Sequence, residues 1–388
     1  MVDFYTLSIL VFVLFLGIHI YTHRKNIEIK YYLLYLWRTK RFRNTIDKVA
    51  QLSPEFWKAA GTFAIFLCGL AMVFGILSVL EQDYKILSGE IKQPAAQLVF
   101  PTLAKEGSVD GGIIYIPFWF WFLTIGAILI PHEFMHGVIA RAQKIKLKSV
   151  GLLLFTIFPG AFVEPEDKQV NRAPLKEKLR IFAAGSFANF LTAIIFFLLS
   201  AFLIWPAVTN SSIEMKILNV TEGSPANLAG LKANMTITEV NGKQIVPTYL
   251  EYAQTGGAFF TEEVGKIKEG NAIAFKADGE TFYVKPNFEN GKPRVGVFFE
   301  APEVFKTGSE NLRSVGALFQ MIWLFAFAVG IFNILPIYPL DGGLMFRAVA
   351  EKYFGAGAEK IVRSVSGILI LAVVFLFVGP GIVNAVGV

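Results

Sequence analysis

Long apolar runs recur along the chain, and short charged segments separate them. A helix needs about 20 apolar residues to span the hydrocarbon core of a bilayer, and six runs meet that length. The pattern predicts an α-helical polytopic membrane protein with about six transmembrane helices. The first run has no basic residues before it, which favours a retained helix over a cleaved signal peptide. The predicted spans are 4–22, 57–80, 113–140, 179–205, 313–335 with a broken continuation to about 354, and 363–386.

Residues 208–305 follow a different pattern. Charged residues return there, and the apolar positions form short segments typical of strands, two of which are joined by a tight Asp278-Gly279 turn. We interpret this region as an inserted, mainly β soluble domain. The predicted strands are Ile213–Val220, Ala272–Ala277, Thr281–Lys285 and Arg294–Phe299. The remaining predicted segments are two N-terminal transmembrane helices at 1–80 and membrane parts at 113–205 and 313–388.

The distribution of Lys and Arg predicts the orientation in the membrane. Segments 23–58 and 141–180 carry nine each, whereas 82–112 carries three. Basic loops stay in the cytoplasm, so both termini and the inserted domain are expected outside. The net charge of +6 is explained by these flanking residues, and no nucleic-acid partner is expected. The single cysteine excludes internal disulfides and a cysteine-rich metal site.

His132, Glu133 and His136 form a His-Glu-x-x-His motif near the end of the third apolar run. Imidazoles four positions apart share a helix face and can hold one Zn²⁺, while the glutamate beside them can accept a proton from water. Ionisable residues are costly at membrane depth, so three together indicate function. Histidines satisfied within a core are the alternative interpretation, which the glutamate weakens.

Asp341 is the strongest candidate for a third ligand. Catalytic zinc usually has three protein ligands and an open position for water. Two prolines and two glycines interrupt the helix at 333–343, so the carboxylate can point towards a neighbouring helix. A helix cap is the alternative role for this aspartate. The absence of a basic partner in the adjoining apolar run favours metal ligation.

The apolar stretch Ser149–Val163 is too short to span a bilayer as a helix, and Pro159-Gly160 interrupts it. We predict a membrane-dipping hairpin beside the metal site, since irregular backbone at membrane depth must be covered by protein. A loop packed on the cytoplasmic rim is the alternative.

Three elements of this sequence together resemble the site-2 protease family of intramembrane zinc metalloproteases. They are the motif at 132–136, the Asn-x-x-Pro-x-x-Pro-Leu-Asp-Gly element at 333–342, and Gly185-x-x-x-Asn189. The resemblance implies that both histidines and the aspartate bind zinc, that the glutamate activates water, and that Asn189 contacts substrate. Without the resemblance, Asn189 is more simply an interhelical hydrogen-bonding residue.

The resemblance covers about 113–205 and 313–388, which would form the catalytic membrane core. It also implies that the hairpin holds substrate as an extended strand, which exposes the amide that a helix would hide. The first two helices fall outside this core. They could shield the site laterally, form a gate or anchor the chain.

The inserted domain resembles a PDZ domain through Gly223-Ser-Pro-Ala-Asn-Leu-Ala-Gly-Leu231 and Ile237-Thr-Glu-Val-Asn-Gly242. Such domains bind an extended segment or a C-terminus by adding it as a strand. Residues 247–260 look inserted relative to that pattern. Binding a peptide or substrate ectodomain and acting as a size filter both stay open.

These features predict an intramembrane zinc metalloendopeptidase in the cell membrane of a prokaryote. It would cut a transmembrane protein near the cytoplasmic face, in regulated intramembrane proteolysis. A metal-dependent transporter is one alternative, because broken helices at membrane depth are a transporter feature; Glu133 argues against it. A catalytically inactive membrane-binding homologue is the other, although every catalytic position is filled.

Overall fold

The computed structural model divides the chain into two compact units that follow the two sequence patterns. One unit comprises Met1–Phe197 and Gln320–Val388, and the other comprises Leu198–Phe319. The structure describes residues 3–22, 27–30, 34–104, 107–110, 113–155, 158–203, 215–245, 263–289, 291–300 and 310–386.

Six helical segments in the described chain are long and apolar enough to cross a membrane. This confirms a helical polytopic protein with a separate, mostly β region. The helices are α1 (Phe4–Thr22), α2 (Lys40–Leu52), α3 (Pro54–Leu87), α4 (Phe118–Ala142), α5 (Asp167–Arg172), α6 (Leu175–Leu203), α7 (Pro225–Leu228), α8 (Glu310–Ile334), α9 (Asp341–Phe354) and α10 (Ala358–Val386).

The first of the two units, Met1–Phe197 with Gln320–Val388, also contains two small sheets. One has the strand order β1-β2-β6-β7 and is antiparallel throughout, and the other has the order β3-β5-β4. Their strands are β1 (Ile27–Lys30), β2 (Leu34–Arg38), β3 (Leu98–Thr102), β4 (Ser108–Asp110), β5 (Ile113–Pro117), β6 (Leu147–Phe155) and β7 (Phe158–Pro165).

The third predicted span was wrong at its start. Residues 113–117 form β5, which pairs in parallel with β3, and α4 begins at Phe118. Pro117 at the N-cap position has extended backbone angles, φ −50° and ψ 135°. Apolar character alone could not separate the two elements, because β-branched isoleucines also favour a strand.

In the region of the predicted membrane-dipping hairpin, Ser149–Val163, strands β6 and β7 form an antiparallel pair, and its depth in the membrane stays a prediction. The expected break at Pro159-Gly160 was wrong, because both residues lie within β7. Gly160 is opposite Leu153, whose side chain lies so close that a Cβ at 160 would be 2.6 Å from Leu153 Cδ1. The glycine therefore permits a close approach inside the strand.

The hydrogen bonds of β6 show which way β7 presents its polar groups. The Val150 carbonyl accepts from the Thr39 N–H at 2.9 Å, so Val150 points its polar groups away from its β7 partner Val163. Alternate residues of a strand share one edge. Pro159, Ala161 and Val163 therefore direct their backbone groups away from β6, and proline at 159 costs no ladder bond.

The N-terminal region is built into the same core. Strand β2 pairs with β6, and α2 packs on α4 with Ile46 against Gly137. A Cβ at Gly137 would lie 2.9 Å from Ile46 Cδ1, so this glycine sets how closely α2 approaches. Asp47 on α2 also pairs with Arg141 near the end of α4.

The second unit is built on a sheet with the order β12-β11-β9-β8-β15, and β10 pairs with β9. Asp278 and Gly279 have φ angles of 48° and 87° in the predicted tight turn between β11 and β12. The insertion predicted at 247–260 lies outside the described residues. The remaining strands are β8 (Met215–Val220), β9 (Thr236–Val240), β10 (Lys243–Gln244), β11 (Ile273–Ala277), β12 (Glu280–Val284), β13 (Asn287–Glu289), β14 (Lys292–Arg294) and β15 (Val297–Glu300).

Packing of α2 on α4 should be visible in the stability of the protein. Ile46 is fully buried, so Ile46→Ala should cost about 2–4 kcal/mol and lower the melting temperature in detergent. Leu52→Ala is the matched control, because Leu52 lies on the same helix and is 82% exposed. Equal melting temperatures for the two variants would contradict this packing.

Candidate active site

Helix α4 brings the two motif histidines together. His132 is buried, and its Nε2 atom lies 3.3 Å from the Nε2 atom of His136, one turn further along the helix. The Nδ1 atom of His136 lies 2.7 Å from the Ile181 carbonyl oxygen. A proton on that Nδ1 donates to the carbonyl and leaves the Nε2 lone pair facing the other histidine.

Asp341 reaches the same point from the start of α9. Leu340 is the N-cap residue, so Asp341 is the first helical residue and not the predicted alternative, a cap. The break before α9 depends on two glycines. A Cβ at Gly342 would overlap the Ile334 carbonyl, and one at Gly343 would overlap the Ile337 carbonyl. Only glycine at these two positions lets the first turn of α9 lie this close to the segment that precedes the aspartate.

The three side chains have the spacing of zinc ligands. Donors at about 2.0–2.1 Å from a tetrahedral Zn²⁺ lie about 3.3 Å from one another. The His132–His136 Nε2 distance is 3.3 Å, and the His136 Nε2–Asp341 Oδ1 distance is 3.3 Å. The third distance, His132 Nε2 to Asp341 Oδ2, is 3.6 Å. Two imidazoles and one carboxylate are also a usual donor set for this ion, so the residues fit zinc.

Gly185 on α6 keeps the space beside these donors open. A Cβ at this position would overlap the His136 Nε2 atom and lie 2.5 Å from the His132 Nε2 atom. Both nitrogens are the ones that face the metal position. A side chain at 185 would therefore occupy the space that an ion and its fourth ligand need.

Glu133 connects this cluster to the hairpin. Its Oε2 atom accepts a hydrogen bond of 2.9 Å from the Val163 N–H on β7. The base predicted from the motif thus lies against the strand edge that points away from β6. Its second carboxylate oxygen has no such amide partner among the hydrogen bonds of the described chain.

Asn189 lies at the cluster, where its side chain contacts His132, and the expected contact with substrate stays a prediction. It is fully buried, and its side-chain amide lies 3.1 Å from the His132 Nδ1 atom. Ser186 was not predicted. Its N–H and hydroxyl lie 3.1 and 3.0 Å from Asp341 Oδ2. The one available signal was its place beside Gly185 in the motif, with Asn189 one turn further on.

Comparison with known proteins decides the family. The model of peptidase family M50 matches residues 120–377, which include every residue of the cluster. This chain belongs to peptidase family M50. The family is that of the site-2 proteases, as the motifs predicted. Membership together with the six apolar helices makes the chain an integral membrane protein of the zinc metalloprotease type.

The chain is also similar to individual proteins, two of which are named as putative zinc metalloproteases. A protein of Methanocaldococcus jannaschii named "Uncharacterized protein MJ0971" is 29% identical over 88% of this chain and 85% of its own length. "Putative zinc metalloprotease CPE1693" of Clostridium perfringens is 23% identical over 66% of this chain and 96% of its own. "Putative zinc metalloprotease LL2128" of Lactococcus lactis is 27% identical over 56% and 58%.

The open space at Gly185 leads to a test of the metal site. Gly185→Ala should abolish zinc binding, because the added methyl group overlaps the donor nitrogens. Zinc per chain, measured by elemental analysis of the purified protein in detergent, should fall to background. Gly69→Ala on α3 is the control, since its Cβ meets nothing within 4 Å. A folded Gly185→Ala protein with full zinc content would refute the site.

Proposed function

We propose that this M50 member is an intramembrane zinc endopeptidase that cuts a transmembrane segment of another membrane protein. The observation that carries the proposal is the set of 3.3–3.6 Å distances among the donors of His132, His136 and Asp341. These distances match the edges of a tetrahedral zinc site of about 3.3 Å. The cluster lies on helices apolar enough to span a bilayer.

Glu133 is proposed as the catalytic base. Zinc, when bound by the two histidines and the aspartate, would supply a Lewis acid that makes hydroxide available near neutral pH. Glu133 accepts the proton of the attacking water and later gives it to the leaving amine. The Val163 N–H holds one oxygen of Glu133 in place, and the other is the proposed proton acceptor.

We propose that the substrate is held as an extended strand along β7. Ala161 and Val163 direct their backbone groups towards the edge that β6 does not use, and Val163 contacts the base there. A substrate segment that pairs at this edge would be extended instead of helical, and its peptide bonds would lie close to Glu133. The opposite edge of the β6–β7 pair is already occupied by β2, which pairs in turn with β1.

The biological setting follows from sequence features. Basic loops favour an active site towards the cytoplasmic side of a prokaryotic cell membrane, with both termini and the β-rich domain outside. The PDZ-like pattern of that domain favours binding of an extended segment of the substrate's outer part. We propose a role in regulated intramembrane proteolysis.

A metal transporter is the competing function. The interrupted helix before α9 is shared with transporters. A transporter, however, needs no base beside its metal, whereas Glu133 adjoins both the donors and a strand edge. Cleavage of a transmembrane peptide by the purified protein, blocked by a chelator and restored by zinc, would separate the two functions.

Removing the base should separate catalysis from metal binding. Glu133→Gln should reduce cleavage of a transmembrane peptide by about 10²–10⁴-fold, because the amide cannot accept the proton. The Gln oxygen can still accept from Val163, so zinc content should be unchanged. Glu164→Gln is the control, because it makes the same chemical change at a hairpin carboxylate whose partner is the Ser149 hydroxyl. Undiminished cleavage by Glu133→Gln would rule out its role.

Substrate pairing at β7 predicts the effect of a backbone change. Ala161→Pro removes an N–H from the edge not used by β6, as Pro159 already does two residues earlier. Loss of one backbone hydrogen bond, about 1–1.5 kcal/mol, should lower cleavage about tenfold with zinc content unchanged. Ala161→Ser keeps the N–H and should cleave normally. Wild-type cleavage by Ala161→Pro would argue against strand pairing.

A further inference from the structure

Each of the three candidate ligands has a hydrogen-bond partner on α6, although α6 supplies no ligand. Ile181 provides its carbonyl to His136, Asn189 its amide to His132, and Ser186 its N–H and hydroxyl to Asp341. With Gly185, these residues lie at positions i, i+4, i+5 and i+8, which follow one side of a helix. One helix therefore contacts donors that come from two others.

The amide of Asn189 can be oriented from the chemistry of His132. If His132 binds the metal through Nε2, the atom that faces the other donors, its ring proton is on Nδ1. The atom of Asn189 beside Nδ1 must then be an acceptor. Rotation of the amide by 180° interchanges its oxygen and nitrogen. The arrangement with Nδ2 beside His132 leaves Asn189 Oδ1 buried and without a hydrogen-bond partner among the described residues. In the rotated arrangement that oxygen accepts a hydrogen bond from the Nδ1–H of His132.

Ser186 holds the carboxylate of Asp341, which is the donor that is not an imidazole. Its two hydrogen bonds both go to Asp341 Oδ2, while Oδ1 lies 3.3 Å from the His136 Nε2 atom. The serine is fully buried, so its hydrogen bonds to the carboxylate are shielded from solvent. The two oxygens of Asp341 therefore have different surroundings, and the two bonds to Ser186 hold the plane of the carboxylate with one oxygen towards His136.

We propose that Asn189 and Ser186 are positioning residues for the metal site. Asn189 accepts the Nδ1 proton of His132 and so fixes its tautomer and ring orientation, and Ser186 fixes the carboxylate of Asp341. This assigns Asn189 a role that needs no substrate. The inference rests on the metal site of the proposed function. Partners of this kind are worth about 10–100-fold in metal affinity.

The test is zinc affinity of the full-length protein in detergent, measured by competition with a chromophoric chelator and without substrate. Asn189→Leu should weaken zinc binding about 10–100-fold, because it removes the acceptor at similar size. Asn189→Asp offers only acceptors and should bind zinc at least as tightly as wild type. Ser186→Ala keeps its backbone N–H and should weaken binding less than Asn189→Leu.

Two controls make the outcomes distinguishable. Thr192→Val changes another buried polar residue of α6 and should leave zinc affinity unchanged. His132→Ala should abolish binding; if wild type and His132→Ala bind zinc alike, the metal site itself is wrong. If only His132→Ala loses zinc while Asn189→Leu binds as wild type, the positioning role alone is overturned.

The aspartate variant tests the direction of the hydrogen bond. If Asn189→Asp binds as weakly as Asn189→Leu, the amide donates to His132 and the proposed tautomer is wrong. Melting temperatures in the presence of chelator show that each variant is folded without metal, so that its zinc affinity can be compared with that of the wild type. Because Asn189→Asp is expected to retain binding and Ser186→Ala to lose part of it, the proposal can be decided even if the leucine variant does not fold.

Discussion

The close approach of α6 to the histidines of α4 is the constraint on which the site depends. Residues 183–186 are Ala-Ala-Gly-Ser, all buried, and small residues let apolar helices come close together. At Gly185 the approach is so close that even a methyl group would overlap both imidazoles. The same closeness lets Ser186 reach Asp341. Packing of small residues thus creates the space for an ion.

The interruption before α9 determines where the carboxylate of Asp341 lies. The two histidines come from within a continuous helix, whereas α8 ends at Ile334 and Asp341 begins α9, so the carboxylate comes from a helix start. Gly342 and Gly343 let the chain pass across the carbonyls of the preceding segment, and Asp341 becomes the first residue of a new helix. Irregular backbone in a membrane protein must be covered by protein, and Leu335 and Ile337 are buried there.

The hairpin brings the base and the sheet into one arrangement. Strand β6 pairs with β2 on one edge and with β7 on the other. Glu133 accepts a hydrogen bond at the edge of β7 that faces away from β6. The N-terminal strands therefore complete the sheet on the side away from the base. This gives the first part of the chain a structural role that its apolar pattern did not reveal, because β1 and β2 lie within a loop recognised only by its charge.

Much of this molecule was readable in the sequence. Run lengths predicted the six helices, and the His-Glu-x-x-His spacing with a broken helix at Asp341 predicted the three donors, because both signals are local. The strand at 113–117 and the course of β7 through Pro159 were missed, since apolar character does not distinguish a strand from a helix end, and an outward-facing edge tolerates proline. Only the tertiary structure showed that Ser186 meets Asp341, 155 positions away, and that Asn189 meets His132. The physical reason is that the apolar residues of α6 form no one-sided stripe. Its few polar positions mark a side of the helix, but only packing decides which donor each of them meets.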